Sequence, residues 1–196
     1  MNIKKLIPSL DEESLSLLLE KYREGKVSSD IMEELLPFLT KGQINELYEQ
    51  VLAKQIDLPL EMLLLFLSKD QINEFYQKII NQEIDCPIES VLHFLSKDQI
   101  TALYTQIVNK TSNVALESII HFLNDDQIKD LYQQIINQKY DYELELLLPF
   151  LDDQTIEDLY NRVCSKEITS IEEEEILPFL KPEKIKALFM DYINRL

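Results

Sequence analysis

The sequence predicts an all-α protein, an α-solenoid of two-helix repeats about 28 residues long. A Phe-Leu pair recurs at a fixed spacing, with its phenylalanine at Phe38, Phe66, Phe94, Phe122, Phe150 and Phe179. A second aromatic residue follows ten residues later in every copy, at Tyr48, Tyr76, Tyr104, Tyr132, Tyr160 and Phe189. A repeat of roughly 20–50 residues is typical of an array in which each unit buries its apolar face against its neighbours.

The second half of each repeat predicts the longer of the two helices. In the second copy the apolar side chains fall at helical spacing on one stripe, formed by Ile72, Phe75, Tyr76, Ile79 and Ile80. Ser68 and Gln71 form a capping box, which predicts that this helix begins directly after Ser68. The same signal recurs at Thr40/Gln43, Ser96/Gln99 and Asn124/Gln127, while Asp152 is expected to cap the fifth copy without a glutamine.

The first half of each repeat predicts a shorter helix of about ten residues, over residues 57–67 in the second copy. Asp57 is its expected N-cap, and Pro59 is tolerated in a first helical turn. The segment is so apolar that its stability must come from packing. Three copies carry proline at the place of Leu65, and we expect each to bend or tighten the end of its helix; these are Pro37, Pro149 and Pro178.

The whole chain, residues 1–196, is predicted to form a single solenoid domain of about thirteen helices plus a short first segment. Residues 1–29 are the expected N-terminal capping unit, residues 30–168 the regular repeats and residues 169–196 the C-terminal capping repeat. In architecture this arrangement resembles short HEAT or armadillo arrays, although no motif of either family is present.

Composition excludes several classes of function. The formal net charge is −17 over 196 residues, and nucleic acid or an anionic membrane would require a basic patch. With only two glycines and no catalytic motif, we expect no enzyme activity, no cofactor and no bound metal. Cys86 and Cys164 are expected to be reduced and mostly buried, which favours the cytoplasm, and the richness in Lys, Ile, Asn, Gln and Leu suggests a bacterial source.

The residues expected to bind a partner lie on the outward strip of the longer helices, where carboxylates and amides recur. They are Asp70, Glu74, Gln77, Asn81, Asp98, Asn109, Asp126, Asp130, Gln133, Asn137 and Asp158. Asp70/Glu74 and Asp126/Asp130 are like-charged pairs four residues apart, which cost about 0.2–0.5 kcal/mol each. The strip is therefore either an electrostatic docking surface for a basic protein or peptide, or an ordinary solvated face.

Three further sets of residues leave alternatives open. Asn81, Asn109, Asn137 and Asn194 are similar to the asparagine ladder of armadillo solenoids, although asparagine also ends helices well. The repeated tyrosines are expected in the core, whereas Tyr140 and Tyr142 lie in a loop and could contact a partner. His93 and His121 each follow a glutamate by four residues, an arrangement suited to a divalent metal or to a simple helix-end pair.

The sequence thus predicts a non-enzymatic protein–protein interaction module that presents an acidic and amide-rich face to a basic protein or peptide. The alternatives are an acidic inhibitor, such as an immunity protein, an antitoxin or a nucleic-acid mimic, and a bacterial effector delivered to a host cell. The expected partners include neither nucleic acid nor membrane, and the oligomeric state is left open.

Overall fold

The structure, a computed structural model, describes residues 3–195 and is all-α, with no β-strand among those residues. Its seven long helices, α1 to α7, are Glu12–Arg23, Lys41–Leu52, Lys69–Ile80, Lys97–Val108, Asp125–Ile136, Asp153–Cys164 and Pro182–Asn194. Their first residues are 28 or 29 positions apart, so the helices follow the sequence period. The all-α prediction is confirmed.

The predicted helix starts are present. Thr40, Ser68 and Asn124 each accept a hydrogen bond from the N3 backbone N–H, and the N3 glutamine returns to the cap N–H, which completes three capping boxes. Asp152 caps α6 by accepting from the backbone N–H of Thr155, also as predicted. Asp11 does the same for α1. The long helices therefore begin where short polar side chains satisfy their first free N–H groups.

The prediction that the first half of each repeat forms one continuous α-helix of about ten residues is wrong. Each short segment consists of one to three single turns, α-helical or 3₁₀. These turns are Ile3–Lys5, Ile7–Ser9, Ser29–Ile31, Met32–Leu35, Leu36–Phe38, Leu60–Met62, Leu64–Phe66, Glu89–Leu92, Leu116–Ile119, Ile120–Phe122, Leu144–Leu147, Leu148–Phe150, Glu173–Ile176 and Leu177–Phe179. Segments this apolar are held by packing, so they need no continuous ladder of helical hydrogen bonds.

The prolines and Asp57 show where the short segments tighten. Pro37, Pro149 and Pro178 each occupy the middle of a 3₁₀ turn, where no intrahelical N–H donor is required. In the second copy the turn begins only at Leu60, so Asp57 is not an N-cap, and its backbone carbonyl instead accepts from the Tyr22 hydroxyl at 2.9 Å.

The core consists of the apolar stripes of the long helices and the inner side chains of the short segments. At the centre of each stripe lies a side chain with no exposed surface, and these are Leu47, Phe75, Leu103, Leu131 and Leu159. The next residue in each helix is the repeated tyrosine, which is buried in every copy, as predicted. The repeated phenylalanines are less buried than their periodicity suggests, because Phe38, Phe94 and Phe179 are 43%, 36% and 37% exposed.

The long helices α1 to α6 end in one recurrent way. The residue after the C-cap has a positive φ, and these residues are Gly25, Lys54, Gln82, Lys110, Gln138 and Lys166. In α3 the following N–H, that of Glu83, donates to the carbonyl of Lys78 at 2.8 Å. The same pattern returns at the other helix ends, so each is a Schellman motif.

Contacts divide the chain into two compact units, the first ending at Lys97 and the second beginning at Asp98. Within each unit, a glutamine in the first turn of one long helix links it to the preceding long helix. Gln43 accepts the Thr40 backbone N–H through Oε1 and donates through Nε2 to Ser16 Oγ, at 2.9 and 3.0 Å. Gln71 donates in the same way to Asn45, and Gln127 donates to Thr101, each at 3.2 Å.

Candidate partner-binding surface

All eleven residues that the sequence assigned to partner binding are exposed. The first unit holds four of them on or at the end of α3, which are Asp70, Glu74, Gln77 and Asn81. The second unit holds the other seven on or at the ends of α4, α5 and α6, which are Asp98, Asn109, Asp126, Asp130, Gln133, Asn137 and Asp158. Their side chains are available to a partner, and the carboxylates divide into two rows with different surroundings.

The first row, here called the paired row, consists of Glu74, Asp130 and Asp158. Positions in each long helix are numbered here from the residue directly before the helix, which is position 0. Each member of the paired row lies at position 6 of its helix. Asp130 accepts hydrogen bonds from the Tyr104 hydroxyl and the Gln134 amide, both at 2.7 Å. Glu74 lies 3.6 Å from Lys78, and Asp158 lies 3.9 Å from Arg162. Each carboxylate of this row therefore faces a donor four residues later in its own helix.

The paired row also faces the buried tyrosines at position 8 of the preceding helix. Burial, together with the Asp130 hydrogen bond, raises the pKa of Tyr104. Burial also raises the pKa of Tyr48, with a contribution from the negative charge of Glu74. Tyr132 shows the same effect, where the pKa is raised first by burial and then by the charge of Asp158. Asp130 therefore serves the contact between neighbouring helices through its hydrogen bond, in addition to any external role, whereas Glu74 and Asp158 act on their tyrosines through charge.

This second role was missed in the sequence, although a signal was available. The acid of the paired row follows the tyrosine of the preceding helix by 26 residues in three copies, as Tyr104 precedes Asp130. Burial of a tyrosine ring commonly leaves the hydroxyl in need of a partner at the core boundary. A constant spacing between tyrosine and acid could therefore have suggested the contact.

The second row, here called the free row, consists of Asp70, Asp98 and Asp126 at position 2 of α3, α4 and α5. Within residues 3–195, their carboxylates make no hydrogen bond and have no cation within 4 Å. Each lies in the first turn of its helix, where the positive end of the helix dipole stabilises a negative charge. The free row therefore combines exposure and negative charge without an ion pair within 4 Å, although the charge of Lys129 acts on Asp126 from a greater distance.

The asparagines of the predicted ladder make local contacts in two copies. Asn81 and Asn137 are the C-cap residues of α3 and α5. The Asn137 amide donates to the carbonyl of Gln133 at 2.6 Å, and the Asn81 amide donates to Glu83 at 3.2 Å. These hydrogen bonds favour the helix-ending interpretation, because a side chain that holds an extended peptide backbone needs its amide donors free.

The histidine pair shows no metal geometry. His121 packs edge-on against Phe150, with ring centroids 4.9 Å apart and planes inclined at 72°. Across residues 3–195, no group of three or more histidine, cysteine, aspartate or glutamate side chains is arranged to hold a metal ion. No helix in that range is long and apolar enough to cross a membrane.

Tyr140 and Tyr142 border an open groove in the second unit. The groove has a volume of about 440 Å³, and its other walls include Ile135, Glu167 and Ile168. Burial raises the pKa of both tyrosines, and the charge of Glu117 adds to the effect. Both rings are half-buried, so the predicted contact with a partner would involve only their outer edges.

The two cysteines differ from each other. Both are free, and Cys86 is half-buried beside an open groove of about 620 Å³ in the first unit. Its thiol donates to Glu61 at 3.4 Å, and burial raises its pKa to about 11. Cys164 is exposed, so the prediction that both thiols are mostly buried is wrong for this residue. It is the last residue of α6.

Comparisons of the chain with protein-family models, with curated proteins and with solved structures find no match.

Proposed function

We propose that this protein is a non-enzymatic interaction module that binds a basic protein or peptide through the exposed carboxylates of the free row, Asp70 in the first unit and Asp98 and Asp126 in the second. The proposal includes an α-solenoid of 28-residue repeats in one domain, akin to short HEAT or armadillo arrays, and a place in a bacterial cytoplasm. The supporting observation is that three exposed carboxylates recur at one helix position, and none of them has a cation within 4 Å among residues 3–195.

Electrostatics support a basic partner. Carboxylates that are exposed and unpaired carry their full charge into solvent, and they gain most when a cation approaches. The net charge of −17 adds a long-range field of the same sign, which speeds the approach of a positively charged molecule. The exposed amides of Gln77 and Gln133, on the same helices, would supply neutral hydrogen bonds at the rim.

The alternative is an acidic inhibitor that covers the basic surface of a toxin or of a nucleic-acid-binding protein. The size of the net charge favours it, because a mimic of nucleic acid needs many carboxylates spread over its surface. This inhibitor would use the free row together with acids elsewhere on the protein, whereas the interaction module depends on the free row alone. The difference can be tested with matched variants.

The experiment compares three proteins as bait in a pull-down from bacterial lysate near physiological salt. The first is wild type, and the second carries Asp70→Asn, Asp98→Asn and Asp126→Asn. The third, a matched control, carries Glu33→Gln, Glu34→Gln and Glu174→Gln, which remove the same charge from exposed acids outside the free row. Captured proteins are identified by mass spectrometry, purified and titrated against each bait at several salt concentrations.

We expect a basic partner that binds wild type and the control alike. The free-row variant should bind it at least about tenfold more weakly, and the wild-type affinity should fall as salt rises. If both triple variants lose the partner equally, the inhibitor is the better description. If all three baits capture the same proteins with equal affinity, the free row is only a solvated face and the proposal fails.

A further inference from the structure

The last long helix, α7, exposes an apolar face. Its exposed apolar side chains are Ile185, Phe189, Met190, Tyr192 and Ile193, and no side chain of its described residues is buried. In the preceding helix α6, the same stripe is covered, and Ile156, Leu159 and Tyr160 are buried. The apolar face of α7 is therefore exposed where the same stripe of α6 is covered, so α7 has the surface of an inner repeat.

Neighbouring long helices within the second unit meet through two polar pairs of positions, each seen at one junction. One pair joins position 8 of a helix to position 6 of the next, as the Tyr104 hydroxyl donates to Asp130 at 2.7 Å. The other joins position 5 to the N-cap of the next helix, as Lys129 lies 2.9 Å from Asp152 Oδ2. Asp152 still caps its own helix through Oδ1, so one carboxylate serves both helices.

In the first pair of positions, the residue of α7 and the residue of α1 are both apolar, whereas the corresponding residues between α4 and α5, Tyr104 and Asp130, are polar. Position 8 of α7 is Phe189 in place of the buried tyrosine, and it is 59% exposed. Position 6 of α1 is Leu17, which is 54% exposed. In α2, α3, α5 and α6 the residue at position 6 is an acid. At these two positions, the polar pair of a tyrosine hydroxyl and an acid is replaced by two apolar side chains, a phenyl ring and a leucine. Apolar side chains are stabilised when they pack together and leave water.

The second pair of positions is complementary in charge. Position 5 of α7 is Lys186, an exposed cation, and the N-cap of α1 is Asp11. Asp11 accepts the Ser14 backbone N–H through Oδ1, as Asp152 does with Thr155. Lys186 and Asp11 therefore match the pair that Lys129 and Asp152 already form inside the protein.

From these two correspondences we infer that α7 binds α1 of a second copy of this chain, head to tail, as one repeat binds the next. Phe189 packs on Leu17 of the second copy, and Lys186 pairs with its Asp11. The two surfaces differ, so the contact is heterologous and leaves a free α1 face and a free α7 face on each dimer. Further copies add at these faces until a ring closes or a filament grows.

The test measures the assembly of the full-length protein by sedimentation velocity, from about 1 µM to about 1 mM at near-physiological salt. Salt matters because each copy carries a net charge of −17, which opposes association. The two variants are Phe189→Glu, which blocks the α7 face, and Leu17→Lys, which blocks the α1 face. The control is Leu65→Glu, an equally drastic change at an apolar side chain that is 79% exposed elsewhere. Circular dichroism checks that all three variants fold.

We expect the mass of wild type and of the control to rise with concentration beyond two copies. Each blocked variant alone should associate at least about tenfold more weakly. A mixture of the two blocked variants retains one intact α7 face and one intact α1 face, so it should form heterodimers that do not grow. Wild type that stays monomeric throughout would overturn the inference. So would a Leu17→Lys protein that assembles like wild type, because α7 would then be binding something other than α1.

Discussion

At the scale of single residues, the repeated tyrosine shows how one side chain connects core and surface. Its ring lies in the apolar stripe, where helical spacing predicts it, while its hydroxyl reaches the edge of the core. Tyr104 donates there to Asp130, whereas the Tyr48 hydroxyl is buried and makes no hydrogen bond within residues 3–195. A buried hydroxyl without such an acceptor would lose part of the stability that its ring provides.

The two thiols should react at very different rates with iodoacetamide. With a pKa of about 11, only about one in a thousand Cys86 thiols is ionised at pH 8, and the thiolate is the reactive form. We expect Cys164, which is exposed, to be alkylated first, and the Cys86 rate to rise about tenfold per pH unit up to pH 10. Mass spectrometry of the labelled peptides measures both rates in one sample.

Glu61→Gln is the control for this reactivity. Burial is the main cause of the raised pKa, and the hydrogen bond to Glu61 adds to it, while Ser90 opposes it. Removing the Glu61 charge should lower the Cys86 pKa and speed its alkylation, and it should leave Cys164 unchanged. Equal rates for Cys86 and Cys164 at pH 8 would contradict the prediction.

Two substitutions compare a repeated phenylalanine, which is partly exposed, with a leucine that is fully buried in the core. Leu103 has no exposed surface, and Leu103→Ala should lower the free energy of unfolding by about 2–5 kcal/mol, because it removes buried contacts and leaves a cavity. Phe94 is 36% exposed, so Phe94→Ala should cost only about 1–2 kcal/mol. Urea unfolding followed by circular dichroism measures both. A larger loss for Phe94→Ala would show that the phenylalanine row is the core.

At the scale of elements, the ends of the long helices carry conformational strain. Residues other than glycine occupy left-handed backbone at five of the six recurrent helix ends, although this conformation costs an L-residue about 1–2 kcal/mol. The Schellman hydrogen bonds hold them there. Only Gly25, at the end of α1, has the residue that this position favours.

Gln138→Gly should therefore stabilise the protein. Gln138 has a φ of 57°, and glycine relieves the strain at the expense of greater freedom in the unfolded chain, for a net gain of about 0.5–1 kcal/mol. The converse variant is Gly25→Ala, whose added Cβ would meet no atom within 4 Å, so its expected loss of about 1 kcal/mol reflects backbone strain alone. Thermal unfolding measures both. A Gln138→Gly protein less stable than wild type would mean that the side chain matters more than the backbone.

Sequence reasoning succeeded for the long helices and failed for the short segments. Ser68 and Gln71 define a helix start by local hydrogen bonds, which depend on neighbouring residues and can therefore be read from them. The 3₁₀ turn Leu64–Phe66 has no such local signal, because its geometry is set by the helices it packs against. The same reasoning placed all eleven surface residues outward, but it did not separate Asp126, which is unpaired, from Asp130, which contacts a helix formed by distant residues.

At the scale of the whole molecule, like charge is the dominant electrostatic feature. The ion pairs within residues 3–195 are exposed or half-exposed, and such pairs contribute little to stability. The excess of carboxylates acts in the opposite direction, because 36 acidic residues against 19 basic ones repel one another in any compact state.

Added salt should therefore stabilise the fold. Raising NaCl from about 10 mM to about 150 mM shortens the screening length from about 30 Å to about 8 Å, which weakens repulsion between distant carboxylates. We expect the thermal midpoint of wild type to rise, and that of the triple Asp70→Asn, Asp98→Asn, Asp126→Asn variant to rise less. Calorimetry at a low protein concentration measures both. A midpoint that falls with salt would show that attractive pairs dominate.

The first-turn glutamines have a consequence for how such a chain can change in length. Gln43 donates to Ser16 on the helix before it, and Gln71 donates to Asn45, one repeat later. Deleting residues 41–68 would remove one whole period and place Gln71 opposite Ser16, so a donor would again meet an acceptor. Loss or duplication of a period in the gene therefore regenerates its own junction. The number of repeats is therefore open to evolutionary change in steps of one whole period.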